Sequence, residues 1–311
     1  MKICILPSNH GLGHINRSTL IATYLSNFHK VTIVGNKRKI SKFKLSNKIK
    51  VINFEAKLKI NEKNKTYNQN WYNDLSHKLI KYKYDLFISD NLPEIVHISK
   101  NSIIIANFFW HEVFNIKNNL LKKTLSIIKK NKVPIIQNYI YSNKKNRLKM
   151  GFLNSPKIKN KKKNSVLLSF GTAKFSKKKI IDEINSINFP KKFKYYFDKK
   201  IFEKINYQKN FFQADYKKKM FLELKFAIVK PGFGIVQDCL ENNIYMFGIT
   251  KNMNKEFVVN AKKLEDFKIL KKINSISQGL FLINKGKYKK FFKYKNIKWN
   301  GERKILKILN K

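Results

Sequence analysis

Short apolar runs alternate along this chain with segments in which apolar residues recur at helical spacing. Such runs fit strands of a parallel sheet, because these strands are covered on both faces. Strands are predicted at residues 2–7, 31–34, 51–54, 86–89, 103–108, 133–137, 165–170, 194–197, 226–229 and 244–248. Helices are predicted at residues 15–25, 70–81, 112–130 and 300–310. Strands that alternate with helices indicate an α/β fold with parallel sheets.

The strand and helix pattern runs through the chain twice, with a polar stretch between the two halves. Residues 141–164 are rich in lysine and asparagine, which is typical of a domain boundary. We predict two Rossmann-like domains, at residues 1–155 and 163–295, and a terminal helix within residues 296–311 that packs back on the first domain. Ligands of this architecture bind in the central cleft that the two parallel sheets face, so we expect the functional site there.

The chain is strongly basic, with a formal net charge of +48 over 311 residues. Basicity of this size is typical of proteins that bind nucleic acids or anionic membranes. Only four of the 67 basic residues are arginine, however, and nucleic-acid sites favour arginine for its planar fork. A nucleic-acid partner is therefore disfavoured. Attraction to an anionic membrane or substrate and simple compositional bias of the genome both stay open.

The apolar segments also bear on the compartment. Cys4 and Cys239 lie far apart in such segments, which predicts buried thiols in a reducing environment. The N-terminal apolar run is too short for a signal peptide, and the chain lacks the roughly 18 uncharged apolar residues of a membrane span. We expect a cytoplasmic protein, with peripheral contact at the inner membrane face as an option that the charge leaves open.

A glycine loop joins the first predicted strand to the first predicted helix. Gly11 and Gly13 allow a tight turn that brings backbone amides close to a ligand, and a helix N-terminus favours an anion. Arg17 lies close to where the dinucleotide-binding fingerprint has its third glycine, so a nicotinamide cofactor is disfavoured. The imidazole of His14 is suited to take a proton from an acceptor hydroxyl, and the alternative is a histidine that only caps the helix.

Two further strand ends carry polar or aromatic side chains. Asp90 ends a predicted strand, where a carboxylate can orient a protonated His14. The alternative for Asp90 is a cap on the helix that begins near Pro93. Asn107 and Trp110 follow another strand, and an aromatic ring at that place either stacks on a sugar or belongs to the core.

The most informative segment is a second glycine turn, which joins the strand at residues 226–229 to a helix. Amides at the start of that helix would face a diphosphate. Asp238, one turn into the helix, is placed to accept hydrogen bonds from ribose hydroxyls, and Glu256 is a candidate for the hydroxyls of a sugar. The turn residues expected to contact such a ligand are Lys230, Gly232, Phe233, Gly234 and Ile235.

Five motifs occur in one order along the chain. They are Gly-Leu-Gly-His-Ile-Asn-Arg at 11–17, Ser-Asp at 89–90 with Pro93, Asn-Phe at 107–108 with Trp110, Ser-Phe-Gly at 169–171, and Lys-Pro-Gly-Phe-Gly-Ile-Val at 230–236. Together they resemble GT-B glycosyltransferase-like proteins related to the N-terminal half of L-arabinokinase. More distantly, they resemble the bacterial transferase that adds N-acetylglucosamine to the lipid-linked peptidoglycan precursor. The resemblance covers residues 2 to about 265.

The resemblance implies roles for individual positions. His14 would be the base, in a glycine loop that faces the acceptor and the donor phosphates, and Gly171 with Thr172 would lie near the donor phosphates. The residues expected at the acceptor and phosphate loop are Gly11, Gly13, Arg17, Asn107 and Trp110. Gly232 and Gly234 would bracket the diphosphate, and Glu256 would touch the donor sugar. Asp238 stands where relatives usually carry glutamate against the ribose. It is one methylene shorter, which weakens the expectation of a standard uridine donor.

The resemblance also implies an activity. The chain has no Asp-x-Asp motif, so we expect a metal-independent glycosyltransferase without a cofactor, in which backbone amides stabilise the leaving diphosphate. The resemblance implies a nucleotide sugar linked to UDP as the donor, and a hydroxyl of a glycan, a lipid-linked molecule or a small molecule as the acceptor. One alternative is a nucleotide-sugar 2-epimerase, which the low count of 19 acidic residues disfavours. The other is a non-catalytic nucleotide-sugar-binding relative.

Overall fold

The computed structural model describes residues 1–9, 11–55, 60–61, 66–67, 71–79, 82–116, 118–142, 144–154, 163–171, 177–251, 253, 255–294 and 297–310. Contacts along the chain divide it into two compact units. Unit 1 consists of Met1–Asn154 together with Lys298–Lys311, and unit 2 is Ser155–Ile297. The chain therefore leaves unit 1 within the polar stretch and returns to it for its last residues.

Unit 1 alternates strands and helices. Its strands are β1 (Lys2–Pro7), β2 (Lys30–Gly35), β3 (Lys50–Asn53), β4 (Ile60–Asn61), β5 (Thr66–Tyr67), β6 (Leu86–Asp90), β7 (Ser102–Ala106), β8 (Ile135–Asn138) and β9 (Leu148–Met150). Its helices are α1 (Leu12–Leu25), α2 (Lys37–Ile40), α3 (Trp71–Leu79), a 3₁₀ helix at Pro93–His97, α4 (Trp110–Val113), α5 (Asn119–Lys130) and α12 (Gly301–Leu309).

In the described part of unit 1, seven strands form one parallel sheet in the order β3-β2-β1-β6-β7-β8-β9. The short strands β4 and β5 pair with each other in antiparallel fashion. The strand order reverses between β1 and β6, which pair directly with Pro7 opposite Asp90. Loops at such a reversal leave the sheet in opposite directions and leave a crevice between them. Open parallel sheets bind their ligands in this crevice.

The two faces of this sheet have separate cores, as alternation along β1 requires. Ile3 and Ile5 join the cluster beneath α1 and α12, whereas Cys4 and Leu6 join the cluster on the opposite face. The terminal helix α12 buries Ile305 completely in the first of these clusters. Gly301, at the start of α12, donates its N–H to the carbonyl of Phe152 over 3.1 Å, so the end of the chain is held beside β9.

Unit 2 repeats the pattern with one parallel sheet. Its strands are β10 (Ser165–Ser169), β11 (Lys194–Phe197), β12 (Phe211–Gln213), β13 (Phe226–Val229), β14 (Tyr245–Ile249) and β15 (Leu270–Ile273). Its helices are α6 (Lys177–Ser186), α7 (Lys199–Phe202), α8 (Lys218–Glu223), α9 (Phe233–Glu241), α10 (Lys255–Asp266), α11 (Ile276–Asn284) and a 3₁₀ helix at Lys289–Phe291. Within the residues described, the strand order is β12-β11-β10-β13-β14-β15, and the order reverses between β10 and β13.

These sheets confirm the predicted α/β fold with two parallel sheets, and β1, β11 and β13 have the predicted bounds. Other elements differ from their predicted bounds by a few end residues, and two predicted segments differ in kind. The helix expected at 112–130 is two helices, α4 and α5, because Asn115 adopts a left-handed φ of 52° and the Asn118 side chain caps α5 by accepting the N–H of Leu121. The polar stretch at 141–164 contains the edge strand β9, whose Met150 is buried.

Across the residues that the structure describes, helices are too short or too polar to span a lipid bilayer.

Candidate active site

The first candidate site lies at the carboxyl edge of the unit 1 sheet, where β1 leads into α1. Gly11 is the N-cap of α1 and has a φ of +75°, a conformation that glycine adopts without strain. His14 is the third residue of the helix. Among the described residues no side chain caps the start of α1, so the alternative role of His14 as a helix cap does not apply.

The predicted partner of His14 is in place. Asp90 ends β6 beside Pro7, which brings its carboxylate to the start of α1. His14 Nδ1 lies 2.7 Å from Asp90 Oδ1, and Asp90 is only 2% exposed. Burial alone would raise the pKa of Asp90, but the charges of Arg17 and His14 and their hydrogen bonds outweigh it and hold that pKa below its usual value. Asp90 is therefore an ionised carboxylate that supports the imidazole, and it does not cap the helix after β6.

Arg17 takes a different place from the one predicted for it. It is three residues after His14 and so shares its helix face, with 2% of its side chain exposed. Its Nε donates to Asp90 Oδ2 over 2.7 Å and its Nη2 donates to Asp90 Oδ1. The guanidinium is thus committed to a buried carboxylate and does not present a surface to a phosphate.

Asn107 and Trp110 are also buried, with 6% and 4% exposure. The indole of Trp110 packs edge-on against His14, with ring centroids 5.6 Å apart at 66°. The carbonyl of Asn107 accepts a hydrogen bond from the side chain of Gln137. Trp110 thus has the core position that was one of its two predicted alternatives, and contact of either residue with an acceptor stays a prediction. Gly11 and Leu12, which precede His14 in the chain, are both exposed.

A second histidine follows Trp110 directly. His111 packs against the Phe109 ring with centroids 5.3 Å apart. Burial lowers the pKa of His111 to about 4; the neighbouring Glu112 opposes this shift, and Arg147 and Lys144 add to it. His111 is therefore neutral at physiological pH, and the ion pairs of Glu112 with Arg147 and Lys144 tie α4 to the segment before β9.

The second candidate site lies at the carboxyl edge of the unit 2 sheet. Lys230 follows β13, and its N–H donates to the carbonyl of Ser169 at the end of β10 over 2.9 Å. Gly232 is the N-cap of α9, and within the described chain no side chain caps that helix start. The first turn of α9 includes Gly234 and Ile235, whose amides have no acceptor within the helix. This is the arrangement that helix N-termini use to bind phosphates.

Lys230 and α10 border this helix start. The Lys230 ammonium lies 4.2 Å from the centre of the Phe257 ring, and a Cβ built on Gly171 would lie 3.6 Å from the same ammonium. Burial lowers the pKa of Lys230, while the nearby carboxylates of Glu256 and Asp198 oppose the shift. The structure thus brings Gly171, Lys230 and Glu256 together beside the turn, as the sequence predicts.

Asp198 is a residue of this edge that the sequence analysis missed. It directly follows β11, and its Oδ2 accepts the N–H of Phe170 over 2.6 Å and that of Gly171 over 3.0 Å. Its Oδ1 accepts the hydroxyl of Ser169 over 3.1 Å. The amide of Gly171, expected near the donor phosphates, is therefore bound to a carboxylate of the protein itself. The signal was available, because a carboxylate that follows a parallel strand is the same pattern that identified Asp90.

Tyr216 completes the Asp198 cluster. Its hydroxyl donates to Asp198 Oδ1 and lies 2.7 Å from the Ser169 hydroxyl, while the residue as a whole is 41% exposed. Burial of the hydroxyl, followed by the charge of Asp198, raises the pKa of Tyr216, so the phenol stays protonated. The backbone of Tyr216 has a left-handed φ of 55°. Nothing in its local sequence indicates this role.

The remaining predicted positions are less informative. Phe233 begins α9, and Asp238, in the same helix, is partly exposed. Gly13 is the second residue of α1 and is partly exposed. Thr172 lies outside the described residues. In the part of the chain that the structure describes, His, Cys, Asp and Glu side chains do not cluster in threes or more as a metal site would require.

Comparison with known proteins gives no likeness in sequence and a clear likeness in fold. No protein-family model matches the chain, and no curated protein matches it. The calicheamicin glycosyltransferase CalG4 superposes with a TM-score of 0.65 at 10% identity, over 98% of this chain and 94% of CalG4. The glycosyltransferase SsfS6 of Streptomyces sp. SF2575 gives 0.63 at 10% identity, over the whole of both chains. The spinosyn forosaminyltransferase SpnP gives 0.62 at 9% identity, over 100% of this chain and 98% of SpnP. At such low identity the likeness concerns the fold, and that fold is the GT-B architecture of two Rossmann-like domains.

Proposed function

We propose that this protein is a glycosyltransferase that moves a sugar from a nucleotide-diphosphate sugar to an acceptor hydroxyl. The GT-B fold supports the proposal, because the compared proteins with this fold are named as glycosyltransferases. Fold alone does not define an activity, so the proposal depends on the residues at the two sheet edges.

The observation that carries the proposal is the pair of His14 and Asp90. A 2.7 Å contact between Nδ1 and a carboxylate oxygen puts the proton on Nδ1 and leaves Nε2 as the basic nitrogen. A base oriented by a buried carboxylate is the arrangement that activates hydroxyl nucleophiles in enzymes. In the proposed reaction, His14 takes the proton of the acceptor hydroxyl as that oxygen forms a bond to the anomeric carbon. The bond between the anomeric carbon and the diphosphate breaks, and the nucleoside diphosphate leaves.

The carboxyl edge of the unit 2 sheet is the proposed donor site. The start of α9 and the Lys230 ammonium would stabilise the negative charge of the leaving diphosphate, which is the task that a metal ion performs in other transferases. We therefore propose a metal-independent reaction without a cofactor. Asp238 is assigned to the ribose hydroxyls and Glu256 to the hydroxyls of the transferred sugar, and UDP is the first nucleotide to test.

The acceptor is the least constrained part of the proposal. The sequence motifs resemble both the L-arabinokinase relatives and the transferase of the lipid-linked peptidoglycan precursor, so glycan, small-molecule and lipid-linked hydroxyls are all candidates. The net charge of +48 would favour an anionic membrane surface for a lipid-linked acceptor. We accordingly propose a cytoplasmic enzyme that works in solution or at the inner face of a membrane.

The test has two stages. Nucleotide sugars with different bases and sugars are first screened for a rise in melting temperature, because a ligand of the folded state stabilises it. Donors that bind are then incubated with acceptors, and the glycosylated product and free nucleoside diphosphate are measured. Transfer by the wild type that is lost in His14→Ala supports the proposal, whereas full activity in that variant contradicts the role of His14. A rearranged donor in the absence of acceptor would indicate an epimerase, and binding without turnover across the acceptor panel would indicate a non-catalytic relative.

A further inference from the structure

At the edge of the unit 1 sheet, the two carboxylate oxygens of Asp90 are contacted by the side chains of His14, Arg17 and Ser18. Asp90 Oδ1 contacts both His14 Nδ1 and Arg17 Nη2, and Asp90 Oδ2 accepts from Arg17 Nε over 2.7 Å. Ser18 adds a longer contact of 3.4 Å to Oδ2. Asp90 and Arg17 are each 2% exposed, so water screens this group very little.

The position of the proton on His14 follows from these contacts. Nδ1 lies 2.7 Å from Asp90 Oδ1, a separation that requires a hydrogen between them. Arg17 Nη2 lies 3.3 Å from the same Nδ1. When Nδ1 carries its hydrogen, it cannot accept a hydrogen bond from Arg17, because both Nδ1 and Nη2 are then donors. The guanidinium is therefore a fixed positive charge beside the imidazole that does not bond to it.

This charge acts against that of Asp90. A carboxylate beside a histidine stabilises the protonated ring, and a buried carboxylate does so strongly. A histidine held protonated in this way cannot serve as a base near neutral pH. Arg17 neutralises the carboxylate and also disfavours a second positive charge 3.3 Å away. The hydrogen bond from His14 to Asp90 still fixes the tautomer and the orientation of the ring.

We propose that Arg17 is a positioning residue that keeps His14 neutral, and therefore available as the base, by compensating the charge of Asp90. The inference rests on the proposed function, in which His14 is the base. The charged groups that contact His14 in the described chain are Asp90 from β6 and Arg17 from α1, while α4 contributes the uncharged indole of Trp110.

The direct test is the titration of His14 itself, followed by NMR of the ring carbons in protein with labelled histidine. The His14 signal is identified by its loss in His14→Gln. In Arg17→Gln the carboxylate is no longer compensated, and the midpoint of the His14 titration should rise by about one pH unit or more. Arg17→Lys is the matched control, because it keeps the positive charge and loses only the two-pronged contact. Its midpoint should stay near that of the wild type. An unchanged midpoint in a folded Arg17→Gln protein overturns the proposal.

A second pair of variants serves if Arg17→Gln does not fold. In Asp90→Asn, the charge of Arg17 acts on His14 without opposition and should lower the midpoint of the titration. In the double variant Arg17→Gln with Asp90→Asn, both charges are gone and the midpoint should return to that of an ordinary histidine. Equal midpoints in these two proteins would show that the charge of Arg17 does not reach His14.

A kinetic readout then connects the titration to catalysis. The acidic limb of the pH profile of kcat/KM should move to higher pH in Arg17→Gln by the same amount as the NMR midpoint. The NMR result does not depend on any activity, so the two proposals fail separately. An unmoved midpoint refutes the role of Arg17. A moved midpoint in a protein that transfers no sugar refutes the proposed function and leaves the electrostatic inference standing.

Discussion

Asp90 in unit 1 and Asp198 in unit 2 both lie at the carboxyl end of a parallel strand, on opposite sides of the central strand of their sheets, and they have different partners. Asp90 ends β6, which pairs with β1, the first strand of unit 1 in the chain. Asp198 follows β11, which pairs with β10, the first strand of unit 2. Asp90 contacts side chains, namely a histidine and an arginine, and is completely enclosed. Asp198 contacts the backbone amides of Phe170 and Gly171 and two hydroxyl groups.

The difference in partners corresponds to a difference in task. Asp90 contacts the imidazole of His14 and fixes its orientation, which is what proton transfer needs. Asp198 fixes the path of the loop after β10 next to Lys230, which is what a rigid binding surface needs. Under the proposed function, a carboxylate at a strand end supports catalysis in unit 1, and one at another strand end supports donor binding in unit 2.

The largest expected effect tests the catalytic side of this comparison. Removing the base in His14→Ala should lower sugar transfer by about 10² to 10⁴-fold, the usual contribution of general base catalysis. The melting temperature should change little, because the imidazole lies at the edge of the core. His77→Ala is the control, since His77 is exposed on α3, and it should transfer sugar at the wild-type rate. Equal losses in both variants would contradict a specific role for His14.

The two aspartates should differ in their effect on stability. Asp90→Ala leaves the Arg17 guanidinium buried without its anion, which costs about 3–5 kcal/mol of unfolding free energy. Asp198→Ala leaves two amides and two hydroxyls without their acceptor, but the site is partly exposed to water. The loss of unfolding free energy should therefore be about 1–3 kcal/mol. Urea denaturation of the two variants measures the difference. A larger loss for Asp198→Ala would reverse the assignment of the more buried network to unit 1.

The sequence predicted the frame of this comparison well. Strands of a parallel sheet are apolar on both faces, so β1, β11 and β13 stood out as continuous runs. The positions of His14 and Asp90 followed from rules about strand ends and helix starts. Short or partly polar strands gave no such signal. β12 has three residues, and β15 contains two lysines.

The sequence did not predict which way side chains face. Arg17 was predicted in the acceptor and phosphate loop, but its spacing of three from His14 puts both side chains on the face toward Asp90. For Trp110 the sequence left open a sugar contact or a place in the core, and the ring packs in the core beside His14. Tyr216 reaches Asp198 through a left-handed turn, which depends on tertiary contacts that no local pattern reveals.

The second histidine at the unit 1 edge offers a test of intermediate size. Because the pKa of His111 is lowered to about 4 by burial, the unfolded chain takes up this proton at a higher pH than the folded protein does. Its contribution to stability is complete above about pH 6.5 and is lost as the pH falls from 6.5 to 4. Allowing for partial exposure, this loss is about 2 kcal/mol.

Denaturant unfolding at several pH values isolates that contribution. His111→Asn should lose less stability than the wild type between pH 6.5 and pH 4.5. His77→Asn, at an exposed position, should follow the wild-type pH dependence. If His111→Asn and the wild type have the same pH dependence, the histidine that follows Trp110 is not held neutral by its surroundings.

Lys230 tests the binding side of the comparison. Lys225 and Lys230 flank β13 at its two ends, and each lies over an aromatic ring, at 5.4 Å from Phe226 and 4.2 Å from Phe257. Lys230→Met should weaken nucleoside diphosphate binding about tenfold, close to 1.4 kcal/mol. Lys225→Met should leave binding unchanged, because it lies at the amino end of the strand. Calorimetry with UDP and other diphosphates measures both, and equal weakening would indicate a general effect of net charge.

The smallest effect concerns the glycine beside Asp198. Gly171 and Gly286 both have a φ of +68°, so alanine at either position should cost about 1 kcal/mol through backbone strain. The two positions differ in their surroundings. A Cβ at Gly171 meets the end of Lys230 at 3.6 Å, whereas a Cβ at Gly286 has nothing within 4 Å. Gly171→Ala should therefore also weaken nucleoside diphosphate binding by about two- to threefold, roughly half a kcal/mol.

Gly286→Ala is the control, and it should lose the same stability and no affinity. If both variants bind equally well, the loop that Asp198 holds does not border the donor, and the division between a catalytic and a binding carboxylate fails on the unit 2 side.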